Sequence, residues 1–242
     1  MKRLKLGLIL TCGLTAQLVG SAPQMEEVLS QWYIRFQGGV SFPNQSNICI
    51  NFEPSVPVLN NSTSKSYLVG FGIGYNLYDW LSMGVAIDIK PLFEYFNYQP
   101  AGTKVFFADI ANSSYMLDVF FNHINTKHNH LSWQLGPVTF SPYIGGSIGI
   151  SQTTLAFFNR TAQVVENPIN SFSFAWQAQV GGDIALCDYA FFSLAYRYFN
   201  GGRFRSNHWV SDNPGIANST HLCLWNNKLK LQDVVAALTL EF

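Results

Sequence analysis

Charge is scarce in this sequence. Asp, Glu, Lys and Arg make up 12% of 242 residues, about half the share of an ordinary soluble domain. A surface that met water on all sides would need more, so much of this one is expected to face something else. Neither sign dominates: 14 Lys and Arg stand against 14 Asp and Glu, which gives no basic footprint for a nucleic-acid partner. Long apolar runs are missing as well. Beyond the first two dozen residues, glycine or polar residues break every apolar stretch, so no later segment supplies the roughly 20 apolar residues of a spanning helix. What is plentiful is aromatic, at 15%.

The N-terminus, "MKRLKLGLILTCGLTAQLVGSAPQ", places Lys2, Arg3 and Lys5 before an apolar run from Leu6 to about Val19, followed by Gly20, Ser21 and Ala22. This is the three-part layout of a secretory signal peptide. Residues 1–22 are read as that peptide, cut after Ser21 or Ala22, and 23–242 as the mature domain. Cys12 is read as an ordinary residue of the apolar run. Processing removes three cations and leaves 11 Lys and Arg against 14 Asp and Glu, a net of −3. An exported, charge-poor, aromatic-rich chain without a spanning helix is either a secreted β-sandwich or a membrane β-barrel.

The stretch "YLVGFGIGY" (67–75) separates these readings. Its glycines, Gly70, Gly72 and Gly74, fall at every second position, one residue short of the dinucleotide spacing, and no helix start follows. The Gly-Lys-Ser/Thr ending of a phosphate loop is absent too. Alternation accounts for the stretch. Tyr67, Val69, Phe71, Ile73, Tyr75 and Leu77 make an apolar face, and the glycines with Leu68 and Asn76 make the other. The pattern recurs in 81–90, 174–186, 192–199 and 233–242, and charge falls on one side each time. A sandwich would turn a Lys-, Glu- and Thr-rich face to water. Here the second face is glycine, alanine, serine and a few mixed charges, as suits a cramped barrel lumen. Transmembrane barrels alternate apolar-out and polar-in, and a charge turned to lipid costs roughly 2–4 kcal/mol at mid-membrane.

Segments near 32–42, 66–77, 81–95, 114–123, 141–153, 172–186, 189–199 and 230–242 fit the alternation. They predict an all-β fold, an eight-stranded antiparallel up-and-down transmembrane barrel. Connections at 78–80 and 187–189 are tight, and 124–140 belongs to the same side although it is longer, with strand ends joined near Lys127–His130. Four long polar connections, 43–65, 97–113, 154–171 and 200–229, take the other side. Short turns toward the periplasm and long loops outward is the outer-membrane arrangement.

The segments "SPYIGGSIGIS" (141–151), "FAWQAQVGGDIAL" (174–186), "SLAYRYFNGGRF" (193–204) and the terminal "VVAALTLEF" resemble the small outer-membrane β-barrels of Gram-negative bacteria, the OmpA-like transmembrane domains and opacity-type surface antigens of the porin family. The likeness covers most of residues 30–242. It implies an outer-membrane location, contact with outer-membrane lipid, and a structural or adhesion-type role. Phe242, with Leu238 and Leu240 at alternate positions before it, resembles the C-terminal signal read by the barrel assembly machinery. The chain departs from the longer members in ending at its barrel, which leaves wall tethering without support.

Of the cysteines left after processing, Cys49 lies in the first long connection and Cys223 in the fourth, while Cys187 lies in a turn at the other end. Barrel closure makes the first and last strands neighbours, so Cys49 and Cys223 share a rim. Cys187 is separated from them by about 25 Å of apolar band, far beyond the roughly 7 Å Cα separation a disulfide allows. A Cys49–Cys223 bond is expected, with three free thiols as the alternative.

The remaining polar groups are weighed as follows. Arg35, Lys90 and Arg197 with Asp88, Asp118, Asp183, Asp233 and Glu241 fall on lumen faces, and are read as an ion-pair network plugging the barrel rather than a narrow ion path. His123, His128 and His130 are read as polar turn residues, since no cysteine or carboxylate completes a metal set. Ser206, His208 and Asp212 mimic a hydrolytic triad, but without a nucleophile turn or an oxyanion motif nearby. No catalytic residue, metal or cofactor is assigned. Arg203, Arg205 and Trp209 in the fourth connection are the candidates for contact with a host surface or extracellular ligand. The expected function is therefore a non-enzymatic surface barrel, with a weak passive porin as the alternative and a lipid-modifying barrel enzyme third.

Overall fold

The computed structural model describes residues 32–44, 60–78, 80–98, 104–123, 132–135, 138–159, 164–165, 169–205 and 226–242. Its elements are β1 (Trp32–Pro43), β2 (Asn60–Thr63), β3 (Ser66–Tyr78), β4 (Leu81–Tyr98), β5 (Lys104–Phe121), β6 (Trp133–Leu135), β7 (Val138–Asn159), β8 (Val164–Val165), β9 (Ile169–Cys187), β10 (Ala190–Arg205) and β11 (Asn226–Glu241). The eight long strands pair antiparallel in the order β1–β3–β4–β5–β7–β9–β10–β11. The first and last close the wall through an unbroken register from Tyr33↔Glu241 to Pro43↔Leu231. Closure leaves no sheet edge, which is what lets strands span a bilayer. Among the described residues there is no helix.

The two faces of the wall have opposite chemistry. On β3, Tyr67, Val69, Phe71, Ile73 and Leu77 are exposed, while Leu68, Gly70, Gly72 and Gly74 are buried. The same split holds on β4, where Met83, Val85, Ile87 and Ile89 face out and Ser82, Ala86, Asp88 and Lys90 face in. Apolar side chains are thus open to the surroundings and polar ones are enclosed, the reverse of a soluble protein. Aromatic rings gather at both ends of the exposed band. Trp32 meets Tyr75, Trp80 stacks on Tyr78 and on Phe121, and Trp133 stacks on Phe140 near the tight turns. Trp176 meets Tyr198 nearer the other end. Such girdles mark the two interfaces of a membrane barrel.

The glycines of the opening stretch are explained by close approach. A Cβ on Gly70 would overlap the Asp88 carboxylate and the Gln37 side chain, and one on Gly74 would overlap the Tyr33 ring and the Met83 carbonyl. Large lumen side chains from neighbouring strands fill the room that these two glycines leave.

Four expectations about boundaries are corrected. The strands run further than the alternation indicated: β4 reaches Tyr98 and β5 begins at Lys104, so the connection expected over 97–113 shrinks to 99–103. β7 runs to Asn159, β9 starts at Ile169, β10 ends at Arg205 and β11 starts at Asn226, which trims the third and fourth connections likewise. In the first connection, β2 pairs with the far end of β4. Finally, 124–140 is not a simple joint near Lys127–His130, since β6 folds back on the start of β7, with Trp133 opposite Phe140. For the strand ends opposite the tight turns the physical reason is shared. There the outward face turns polar while the inward face carries apolar residues such as Phe93, Ile110 and Leu155, so hydrogen-bonded ladders continue where the apolar-out, polar-in signal has vanished.

Candidate functional site

Among the described residues, buried ionisable groups converge in the lumen. β3 and β4 bring Asp88 in beside Gly70, where Gln37 of β1 donates to its Oδ1. β10 contributes Arg197, whose Nη1 donates to Asp88 Oδ2 at 2.9 Å and whose Nε donates to Asp233 Oδ2 at 3.1 Å. Lys90 Nζ stands 4.0 Å from the same Asp233 oxygen and 4.1 Å from the centre of the Phe199 ring. These four charged side chains are all fully buried. Two cations balance two carboxylates, as burial demands, because an uncompensated charge away from water is costly.

The other lumen-facing charges have further partners of their own. Asp183 lies nearer the tight turns, where Ser193 Oγ donates to its Oδ1 at 2.6 Å and His123 Nδ1 lies 2.7 Å from its Oδ2. Arg35 meets the Tyr143 hydroxyl at 3.4 Å and lies over the Phe120 ring. Asp118 stands opposite Ser147 on β7. Glu241, at the end of β11, accepts from Asn76 Nδ2 at 2.7 Å.

Apolar packing closes the lumen above and below the charges. Toward the long connections, Phe93, Ile110, Met116, Leu155, Phe199 and Leu231 belong to one buried cluster. Toward the tight turns, Phe120, Tyr143 and the His123 ring are packed on one another, with ring centres 4.7 Å apart for each His123 contact. Between these layers Asn112 donates to Ser151 and Thr153, and Gln177 donates to Ser147. Eight strands enclose a space that side chains of this size fill.

Sequence reasoning missed His123 as a lumen residue and set it with His128 and His130 as a turn residue; His128 and His130 lie outside the described residues. Asn122 adopts φ of 66°, a left-handed step that Asn tolerates better than most residues. It turns the chain inward at the end of β5, so a histidine beyond the strand is buried. No periodicity announces that step. Gln37, Asn112, Tyr33 and Tyr143 were missed for another reason: uncharged lumen residues look like any inward-facing residue until their partners are known.

The other sites named from sequence stand as follows. Arg203 lies in β10 and faces outward, exposed, and Arg205 ends that strand. Leu238 is exposed on the outer face, Leu240 pairs with Ile34 and Ala190, and the Phe242 amide donates to the Trp32 carbonyl at 3.0 Å. Cys187 closes β9 at the turn to β10. Residues 1–31, Cys49, Cys223, Trp209, Ser206, His208 and Asp212 lie outside the described residues.

An apolar outer wall, aromatic girdles, a closed eight-stranded order and a filled polar lumen define a small transmembrane β-barrel of the outer-membrane type. No protein-family model matches the chain, and no curated protein matches it. Among solved structures it is similar to the outer membrane protein OprG from Pseudomonas aeruginosa, with 14% identity, 88% of this chain and 97% of that chain covered, and a TM-score of 0.53. It is also similar to Neisserial surface protein A, with 14% identity, 87% and 97% covered, and a TM-score of 0.46. At these identities the likeness speaks to the fold, and the OprG match gives the fold expected from the period-two pattern.

Proposed function

We propose that the chain is an outer-membrane β-barrel surface protein with a structural and adhesion-type role. The barrel is the anchor, and the connections 44–65, 99–103, 160–168 and 206–225 are held outward. The observation that carries this reading is strand length. A tilted strand crosses the hydrocarbon with about 9–11 residues, whereas β4, β5, β7 and β9 have 18, 18, 22 and 19. The outward face of β5 turns from Leu117 and Tyr115 to Ser113, Ala111 and Asp109 along this length. The excess is a water-facing collar on the side opposite the tight turns. Loops on such a rigid support are where binding usually sits.

Several elements belong to this reading. Residues 1–22 direct export, Leu238, Leu240 and Phe242 engage the assembly machinery, and Arg203, Arg205 and Trp209 meet an extracellular ligand or host surface. Cys49 and Cys223 form a disulfide; the connections that carry them follow β1 and precede β11, which are wall neighbours. A weak passive porin is the alternative. The enclosed Arg197–Asp88–Asp233–Lys90 group and the apolar layers above and below it speak against conduction. A lipid-modifying enzyme comes third.

The test combines protease mapping on intact cells with conductance in planar bilayers. The expected result is heat-modifiable mobility, cuts only in the four named connections, and no steady conductance. Large steady current steps would favour the porin, and cleavage at 79–80 or 188–189 in intact cells would reverse the orientation.

A further inference from the structure

The dipeptide Asn-Gly occurs once in the chain, at Asn200–Gly201, and the fold places it at a bulge inside a strand. β10 pairs with β11 in register as far as Asn200↔Lys230 and resumes at Arg203↔Lys228, so Gly201 and Gly202 stand together against Leu229. The register with β9 ends at the same residue, with Asn200↔Trp176. Gly202 takes φ of 76°, a conformation glycine adopts without the cost another residue would meet. Its amide donates to the Asn200 side-chain oxygen Oδ1 at 3.1 Å, which closes an Asx-type turn over Gly201. Asn200 itself is half-buried and follows Tyr196 and Tyr198 on the outward face. Tyr198 meets Trp176 in the upper aromatic girdle, so the site lies at the interface, where water is present.

This arrangement suits one reaction. The Gly201 backbone nitrogen attacks the Asn200 side-chain carbonyl carbon Cγ and closes a cyclic imide. The N–Cγ bond forms, the Cγ–Nδ2 bond breaks, and ammonia leaves with the proton that the Gly201 amide gives up. Water then adds to either imide carbonyl. Opening at the side-chain carbonyl gives aspartate, and opening at the main-chain carbonyl gives isoaspartate, with the backbone rerouted through the side chain. No oxidant, metal or second protein takes part. The two reacting atoms are already tethered through Cβ, Cα and C, so little translational entropy is lost on attack. Negative charge develops on Oδ1 as the ring closes, and the Gly202 N–H is already bonded to that oxygen; a donor so placed is worth about 10²–10³ in rate in enzyme sites. Gly201 has no Cβ to obstruct the approach. Asn112 is the contrast. It is buried, its departing nitrogen Nδ2 is held by Ser151 and Thr153, and a serine follows it.

We infer that Asn200–Gly201 is a self-modification site, at which the folded barrel releases ammonia and converts Asn200 to aspartate or isoaspartate. The product sets a carboxylate directly opposite Lys230 on β11, and opposite charges across a ladder attract. The extra backbone atom of isoaspartate falls where the ladder is already interrupted. The test ages the full mature chain, refolded in lipid bilayers, at mildly alkaline pH in heavy-oxygen water, beside the same chain kept unfolded in urea. Heat-modifiable mobility identifies the folded sample, and peptide mapping by mass spectrometry counts residue 200 as amide, aspartate or isoaspartate. The folded chain is expected to accumulate oxygen-labelled aspartate and isoaspartate at residue 200 at least as fast as the unfolded chain, with Asn112 unchanged. An ordinary strand position protects its asparagine, so an amide that survives at residue 200 in the folded barrel would overturn the inference. Faster conversion at Asn112 would do the same. Gly201→Ala crowds the closing ring and is expected to slow the conversion by about tenfold; a rate equal to that of the wild type would contradict attack by this nitrogen. The added Cβ also meets the Phe199 and Leu229 side chains, and the wild-type comparison decides if that variant does not insert.

Discussion

Arg197 and Arg203 lie six residues apart on one strand, and their surroundings differ in kind. Arg197 is fully buried and meets Asp88 and Asp233. Arg203 is exposed and faces Lys228 across the ladder. One bulge at Gly202 separates these two situations. Inside, the chain supplies the counter-charges of its own cations. On the outer wall it places Arg203 opposite Lys228, both exposed. Stability is thus expected to depend on the interior charges far more than on the exterior ones.

Substitution at the two arginines should break this contrast if it is wrong. Arg197→Ala leaves two buried carboxylates short of a cation and is expected to cost about 3–5 kcal/mol, read as a lower urea midpoint for unfolding from lipid bilayers. Arg203→Gln is expected to leave that midpoint almost unchanged, as surface substitutions do, within about 0.5 kcal/mol. A large effect at Arg203, or none at Arg197, would collapse the distinction. Next in size, Val85→Arg puts a charge on the lipid-facing side of β4 and is expected to cost about 2–4 kcal/mol if it lies at mid-membrane, whereas the neighbouring Asp88 is tolerated because it points inward. Gly74→Val drives a side chain against the Tyr33 ring and the Met83 carbonyl, at an expected cost of about 1–3 kcal/mol for overpacking, read in the same unfolding series. Of similar size, His123→Ala removes the ring bonded to Asp183 and is expected to cost about 1–3 kcal/mol by leaving a buried carboxylate under-satisfied. His123→Gln, which keeps a donor, should restore part of it.

The interior half of this contrast was legible in the sequence. The inward position of Asp88, Lys90, Asp183, Arg197 and Asp233 followed from period two alone, because in each strand the opposite face was continuously apolar. Legibility ended where the lipid did. Beyond Tyr115 the outward residues of β5 are Ser113, Ala111 and Asp109, and nothing then distinguishes a ladder from a loop. Bulges were a second blind spot. Between Lys90 and Phe93 on β4, beside Pro91, and between Asn200 and Arg203 on β10, the register slips and the faces exchange, so Arg203 read as a loop residue although it stands on the wall. The third was Asn122, whose positive φ brings His123 into the lumen without a trace in the pattern.

A spin label walked along β3 from Tyr67 to Leu77, one cysteine at a time in a background with the native cysteines replaced by serine, examines the underlying assignment of faces. In lipid bilayers, labels at 67, 69, 71, 73 and 77 should collide freely with oxygen and be shielded from a water-soluble nickel reagent, while a label at 68 should show low contact with both and labels at 70 and 74, where a Cβ already overlaps its neighbours, should impair folding. Nickel access at the odd positions, or recovery of the mature chain as a detergent-free soluble monomer, would contradict a wall that turns its apolar side to lipid.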